Sequence, residues 1–212
     1  MNNTNIKEDA NVILEGVKIG YSKNNPLVEI PHLEIFPGEI VAITGPSGVG
    51  KTTLVRTIAG LIAPISGTVR VFDSTLPYRP PRGSIGYIPQ RLGLVRHASV
   101  LHNVLLGARA GHSSPFNIFP SQKSRRSAID AIDRMGLSGK MHEPVRRLSG
   151  GQQRRVATAR TIAQSPEIFL ADEFLSELDE KTLVNVQNEV IDYVRKNNAT
   201  LILVEHDVSR AT

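Results

Sequence analysis

The 212-residue sequence contains no cysteine, which removes disulfides, thiolate metal sites and cysteine nucleophiles from consideration. That composition fits a reducing compartment. Long apolar runs are missing too. No stretch approaches the roughly 18–20 apolar residues needed to cross a bilayer. The polar, mixed-charge start from Met1 to Ala10 lacks the apolar segment of a signal peptide. The expectation is a soluble chain that reaches a membrane only through a partner. Aromatics are sparse at 5%, and neither an internal repeat nor a low-complexity tract is found.

What is present is ordinary for a globular protein. Hydrophobic residues make up 40% and charged residues 21%, enough for one sizeable core or two small ones. The net charge of +5 raises nucleic acid as a partner. The basic residues are scattered, however, with short clusters at Lys123-Ser124-Arg125-Arg126, Arg146-Arg147 and Arg154-Arg155 and no interleaved aromatics. A basic surface near anionic lipid, or no specific meaning, accounts for the charge as well. No nucleic acid is expected as a partner.

Periodicity alternates between strand and helix. Asn11 to Ile19 and Leu27 to Phe36 read as strands, followed by a Pro37-Gly38 turn and the apolar run Glu39 to Thr44. Lys51 to Ile62 reads as a helix with Leu54, Ile58 and Leu61 on one face. Thr68 to Phe72 and Ser84 to Ile88 read as further strands. Val100 to Leu137 is helical in spacing, interrupted by a Gly/Ser/Pro-containing loop from Gly111 to Gln122. Then come a helix over Gln152 to Ala163, a strand Ile168 to Ala171, a helix Glu180 to Arg195 and a strand Thr200 to Val204. This order predicts an α/β sheet with parallel strands and an inserted helical lobe.

Three segments carry chemistry. Gly45-Pro46-Ser47-Gly48-Val49-Gly50-Lys51-Thr52 matches the phosphate-loop pattern G-x-x-x-x-G-K-[ST] at every fixed position. Its glycines permit a backbone whose N–H groups converge on phosphate oxygens, and the next helix points its positive end at the same anion. Lys51 suits the β- and γ-phosphates and Thr52 suits Mg²⁺. A chance glycine-rich turn is the plainer alternative, but the loop follows an apolar strand and opens an apolar-periodic helix. The second segment is Asp172-Glu173, at the end of the apolar run Ile168 to Ala171. A buried strand ending in two carboxylates places them beside the phosphate loop; Asp172 suits the Mg²⁺ shell and Glu173 a base that polarises the attacking water. An acidic helix cap is the alternative there. The third is Leu148-Ser149-Gly150-Gly151-Gln152, a second anion site made of a serine hydroxyl and N–H groups at a helix start. One phosphate loop does not need two cradles for one nucleotide.

Phosphate loop, Leu-Ser-Gly-Gly-Gln, Asp-Glu after a strand, then His206: this order resembles the ATP-binding cassette (ABC) family over nearly the whole chain. The resemblance implies a P-loop NTPase α/β core with a mixed sheet, an N-terminal antiparallel β portion and an inserted α-helical lobe at about residues 91–160, all in one ATPase domain over 1–212. It implies ATP and Mg²⁺ as ligands. Gly45 to Thr53 would hold the nucleotide, Thr53 included, and Thr52, Gln90 and Asp172 the metal. Glu173, Gln90 and His206 would serve catalysis, and Tyr21 would stack on adenine. It also resolves the two cradles. Two cassettes pair head to tail, so Ser149, Gly150, Gly151 and Gln152 of one chain cap the triphosphate held by Lys51 of the other. Read without the resemblance, Gln90 is a polar residue after a strand, Tyr21 a turn tyrosine and His206 a structural histidine.

Gln90 and Leu148 are 58 positions apart (148 − 90), room for a small helical lobe only. Long coiled coils and a tandem second cassette are both lacking, which favours transport over chromosome maintenance or translation. The stretch Val100 to Gln122, with Asn103-Val104-Leu105-Leu106-Gly107 and Phe116-Asn117-Ile118-Phe119, resembles the ATPases of phosphonate and phosphate-ester importers. That implies a peripheral ATPase on the cytoplasmic side of the membrane, a second identical cassette, a transmembrane permease gripped by the helical lobe, and indirectly an extracytoplasmic solute-binding protein. The alternatives are a regulatory or nucleic-acid-associated ATPase and a partner that binds ATP without turnover. Three departures stand out. Phe174-Leu175 follows Asp172-Glu173 where the family usually has proline, which predicts a less rigid turn. Glu177 replaces a usually small residue. The chain ends six residues after His206 (212 − 206), so the last strand is expected to have an exposed edge that lowers stability.

Overall fold

A computed structural model describes residues 9–20, 22, 26–77, 79–112, 120–175 and 178–205. The expected α/β core and antiparallel β portion are present: among the described residues the strands form one antiparallel and one parallel sheet, each of four strands.

The first sheet is antiparallel. Strand β1 (Val12–Ile19) pairs on one side with β2 (Val28–Ile35) and on the other with β4 (Ser66–Val71), which carries the two-residue β5 (Ser74–Thr75). Alternation in β1 slips by one residue: Val12 and Leu14 are buried, then Val17 and Ile19. The pairing with β4 shifts register between Glu15 and Lys18, and Gly16 has φ 57°. A bulge at a residue free to adopt positive φ therefore returns Val17 and Ile19 to the core face.

The second sheet is wholly parallel, in the order β3 (Ile40–Ile43), β8 (Thr200–Val204), β7 (Ile168–Asp172), β6 (Ile85–Ile88). Every residue of β7 and β8 is buried, as near-continuous apolar runs in a covered parallel sheet should be. This corrects the expectation for the last strand. β8 has no exposed edge, because it pairs with β3 on one side and β7 on the other; the edges belong to β3 and β6. Strand order across a sheet is a tertiary property that position in the chain does not disclose.

Period two along β7 and β8 divides the interior. Phe169, Ala171, Leu201 and Leu203 face a core shared with the helical lobe. Ile168, Leu170, Ile202 and Val204 face a core closed by the antiparallel sheet and α1 (Lys51–Ile58). The lobe consists of α2 (Val100–His112), α3 (Gln122–Arg134) and α4 (Gly150–Gln164), packed through Val104, Ala108, Ala128, Ile132, Val156 and Ala159. Helix α5 (Glu180–Asn197) returns the chain from β7 to β8, with Asp179 accepting from the Thr182 amide at its start.

Two helix limits differ from expectation. Helix α1 stops at Ile58 rather than Ile62, because the amides of Leu61 and Ile62 turn back onto the Arg56 carbonyl. Leu61 is consequently 64% exposed and not on the buried face. Helix α4 starts two residues before Gln152, where Ser149 caps it.

Candidate functional site

Three parallel strands deliver their C-terminal ends to one place, the usual position of a ligand site in an open α/β sheet. β3 leads into the glycine-rich loop, β6 into Pro89-Gln90, and β7 into Asp172-Glu173. Register sets them side by side: Ile43 lies opposite Val204, Asp172 opposite Val204, and Ile88 opposite Ala171. A cleft of about 360 Å³ lies between the loop, Gln90 and Glu173, with Leu27 on its wall.

The loop residues are shaped for close approach. Gly50 caps α1 with φ 105°, and a Cβ there would lie 2.8 Å from Val28 Cγ2. Any side chain would be both strained and obstructed. Lys51 is buried, and its Nζ donates to the carbonyls of Gly45 at 2.6 Å and Pro46 at 3.0 Å. The lysine thus folds over its own loop and presents its charge at the cleft, where a phosphate oxygen would meet it.

Asp172 is completely buried. The Thr52 hydroxyl donates to its Oδ1 at 3.0 Å, and the Tyr87 hydroxyl to its Oδ2 at 3.4 Å. Burial pushes the Asp172 carboxyl above its ordinary value; the Thr52 hydrogen bond opposes that and the Glu173 charge adds to it. A buried carboxylate beside a hydroxyl is a surface on which a small divalent cation replaces the missing solvation. Among the described residues no three His, Cys, Asp or Glu side chains cluster into a metal cage. The Asp172 carboxylate beside the Thr52 hydroxyl suits the chemistry of Mg²⁺, which takes one or two protein oxygens and completes its shell with water and phosphate. Thr52, Asp172 and the Gln90 side chain are the oxygen donors that could hold it.

Glu173 and Gln90, 83 residues apart, meet directly: Gln90 Nε2 donates to Glu173 Oε2 at 2.8 Å. The Glu173 backbone adopts φ 52°, a conformation that non-glycine residues hold only when their surroundings fix it. Its amide donates to Val204 O at 3.0 Å, and its carbonyl accepts from Arg154 Nη1 at 3.0 Å. Phe174 and Leu175, the residues in place of proline, are each 2% exposed and belong to the core beneath the lobe. Packing, instead of a ring, restrains the turn expected to be less rigid.

The Ser149 segment lies elsewhere. Ser149 and Gly150 are exposed at the start of α4 and do not line the cleft. The Ser149 hydroxyl accepts from the Gln152 amide at 3.3 Å, and Gln152 Oε1 accepts from the Ser149 amide at 3.1 Å, a reciprocal capping box. The remaining free N–H groups and the positive end of α4 face outward.

The structure therefore brings together Gly45 to Thr53, Gln90, Asp172 and Glu173, and sets Ser149 to Gln152 apart. Tyr21 and His206 lie outside the described residues, as do Ser176, Glu177 and residues 113–119. Sequence reasoning missed Leu27, Tyr87 and Arg154. For Tyr87 a signal existed: it sits one residue before the end of the strand that delivers Gln90.

With this geometry in hand, the comparisons with known proteins agree. A family model described as ABC transporter matches residues 28–176. The L-cystine transport system ATP-binding protein TcyN of Escherichia coli (strain K12) is 38% identical over 190 residues, covering 84% of this chain and 74% of that protein. The phosphonates import ATP-binding protein PhnC 2 of Cupriavidus metallidurans is 33% identical over 214 residues, covering 97% and 77%. Among solved structures, the ATP-binding cassette MJ0796, a dimer in a post-hydrolysis state with ADP and Pi, superposes with a TM-score of 0.83 at 28% identity, covering 94% and 90%.

Proposed function

Since this chain belongs to the ABC transporter family, as an ATPase, we propose that it energises solute import by closing in pairs, head to tail, around two ATP molecules. In each site Lys51 and the loop amides hold the phosphates, and Thr52, Asp172 and Gln90 hold Mg²⁺. The metal, when bound, neutralises charge developing on the β- and γ-oxygens. Glu173 accepts a proton from the attacking water at Oε2, the oxygen that Gln90 Nε2 engages in the structure described, once that hydrogen bond opens. Ser149, Gly150, Gly151 and Gln152 of the second chain cap the γ-phosphate. Tyr21 and His206 are assigned to the adenine and to the γ-phosphate by the same reading.

The observation that carries this proposal is that one chain has a phosphate-loop cleft and, outside it, an exposed helix start capped by Ser149. Closure needs only that ATP bind the closed pair more tightly than the open one. Among the described residues no helix is long and apolar enough to cross a membrane, so the solute path is assigned to a permease that docks on the helical lobe. The same reading assigns this subunit to the cytoplasmic face and a solute-binding protein to the other side, supported by the import ATP-binding relatives. Phosphonate or a related small solute is the proposed cargo, supported by Asn103 to Gly107 and by the phosphonate-import relative; co-purification of the permease and its solute-binding protein tests it. For the clamp, Glu173→Gln should bind ATP, lose hydrolysis and accumulate as a dimer with two nucleotides, read by light scattering after size exclusion. A Glu173→Gln protein that stays monomeric in ATP and still hydrolyses it would refute the mechanism.

A further inference from the structure

Helix α4 does more than present Ser149. It starts with an exposed cap and continues into a buried stretch on which Arg154 is only 5% exposed. Arg154 stands five residues after the cap, about 7–8 Å along the axis. From there Nη1 donates to the carbonyl of Glu173 at 3.0 Å. Further along the same helix Arg160 grips the segment after Gln90: Nη1 donates to Gly93 O and Nη2 to Leu92 O, both at 2.7 Å. Of the two partners of the Gln90–Glu173 hydrogen bond, Glu173 is thus held to α4 directly by Arg154, and Gln90 is followed two and three residues later by carbonyls that Arg160 holds.

Resting on the head-to-tail reading above, we propose that Arg154 is a positioning residue that couples the two ATP sites. In that arrangement the Ser149 end of α4 meets the triphosphate held by the partner, whereas Glu173 acts on the triphosphate held by its own Lys51. Arg154 joins groups that serve different nucleotides. The Glu173 carbonyl it holds belongs to a residue at positive φ, where the carboxylate direction depends on how the peptide is fixed. Seating α4 against the partner's γ-phosphate moves the tethers at both ends of the Gln90–Glu173 bond and frees the carboxylate for water. The bistable element is that bond, closed in the structure described and open for catalysis. Both sites bias it, which is what coupling requires.

The test is steady-state hydrolysis against ATP concentration with the full chain. The wild-type Hill coefficient should lie above one. Arg154→Met keeps the buried stem and removes the donors; it should bring the Hill coefficient to one and lower kcat about tenfold or more. Its affinity for a fluorescent ATP analogue, measured at a concentration where the protein is monomeric, should not change. Arg154→Lys retains a donor and should recover most of both properties. Combined with Glu173→Gln, Arg154→Met should still yield the two-nucleotide dimer, showing that the closed interface survives. If Glu173→Gln dimerises but Arg154→Met keeps wild-type cooperativity and kcat, this inference alone falls. If Glu173→Gln does not dimerise, the parent reading falls with it. Should a thermal melt find Arg154→Met unfolded, Arg154→Lys decides by the same readouts: lost cooperativity overturns the proposal and retained cooperativity supports it.

Discussion

The Lys51 cleft and the Ser149 helix start are the two surfaces we assign to a triphosphate, and they differ in how their own chain holds them. At the cleft the functional groups hold one another: Lys51 on the Gly45 and Pro46 carbonyls, Thr52 on Asp172, Gln90 on Glu173. These groups converge on one cleft from the ends of three strands, with Lys51 and Asp172 buried and Gln90 exposed at its mouth. At the helix start the capping box satisfies Ser149 and Gln152 locally, and Ser149 and Gly150 are exposed among the described residues. A concave, charged cleft can bind nucleotide alone, because it surrounds several phosphate oxygens at once. An exposed helix end offers a few N–H groups against bulk water, so it contributes only when a second surface excludes that water. Binding is therefore assigned to one half and the timing of hydrolysis to the other.

Removing the cleft's charge should break this comparison most severely. Lys51→Ala takes away a buried ammonium and leaves two loop carbonyls without their donor. ATP affinity should fall about a hundredfold, the effect of up to about 3 kcal/mol for a hydrogen bond to a charged group. Hydrolysis should drop below detection. Titration calorimetry on the isolated chain is the check, and wild-type affinity in Lys51→Ala would remove the cleft from the mechanism.

Changes at Ser149 should leave monomer binding intact and act on turnover. Ser149→Ala loses a cap worth about 1 kcal/mol and a donor to the γ-phosphate, and kcat should fall about a hundredfold. Stability and function can be pulled apart with Ser149→Asp. Aspartate caps a helix as well as serine does and suits the positive end, so the melt should match wild type. Its charge opposes the incoming triphosphate, so hydrolysis should be at least as low as in Ser149→Ala. A fully active Ser149→Asp would show that α4 never meets a phosphate.

The contrast between the halves also explains what could be read without a structure. The glycine-rich loop, Asp172-Glu173 and the Ser149 segment are contiguous, so their spacing alone carried the chemistry. Gln90 could be placed only through family resemblance, because its partner Glu173 is 83 residues away. Arg154 was not visible, and Tyr87 was signalled only by its place near the end of a strand: one reaches the Glu173 carbonyl and the other Asp172 through contacts created by helix packing and strand register. Periodicity located the strands well, yet it could not say that β8 would lie between β3 and β7, nor that the helix ahead of Leu61 would stop short. Such outcomes depend on which surfaces meet, and no local window contains that information.

Asp172 provides the smallest predicted effect and the sharpest test of how the cleft waits for its metal. Burial raises its carboxyl above the ordinary carboxylate value, so the folded chain holds this proton more tightly than the unfolded chain does. The associated stability is present below the ordinary value and is lost as pH rises through the raised one. Once ionised, the buried carboxylate is therefore a local cost that a bound cation relieves. Asp172→Asn keeps an acceptor for Thr52 and removes the charge. Without Mg²⁺ and ATP it should melt about 2–4 °C above wild type at pH 7, the shift expected of about 1 kcal/mol in a chain of this size. The gain should shrink as pH falls towards the ordinary carboxylate range. Adding Mg²⁺ with ATP should reverse the order, stabilising wild type and leaving the variant almost unchanged. Melts across pH with and without the ligands decide the matter: an Asp172→Asn protein less stable than wild type at neutral pH, or equally stabilised by Mg²⁺ with ATP, would mean that this carboxylate is a structural hydrogen-bond acceptor and not the metal's anchor.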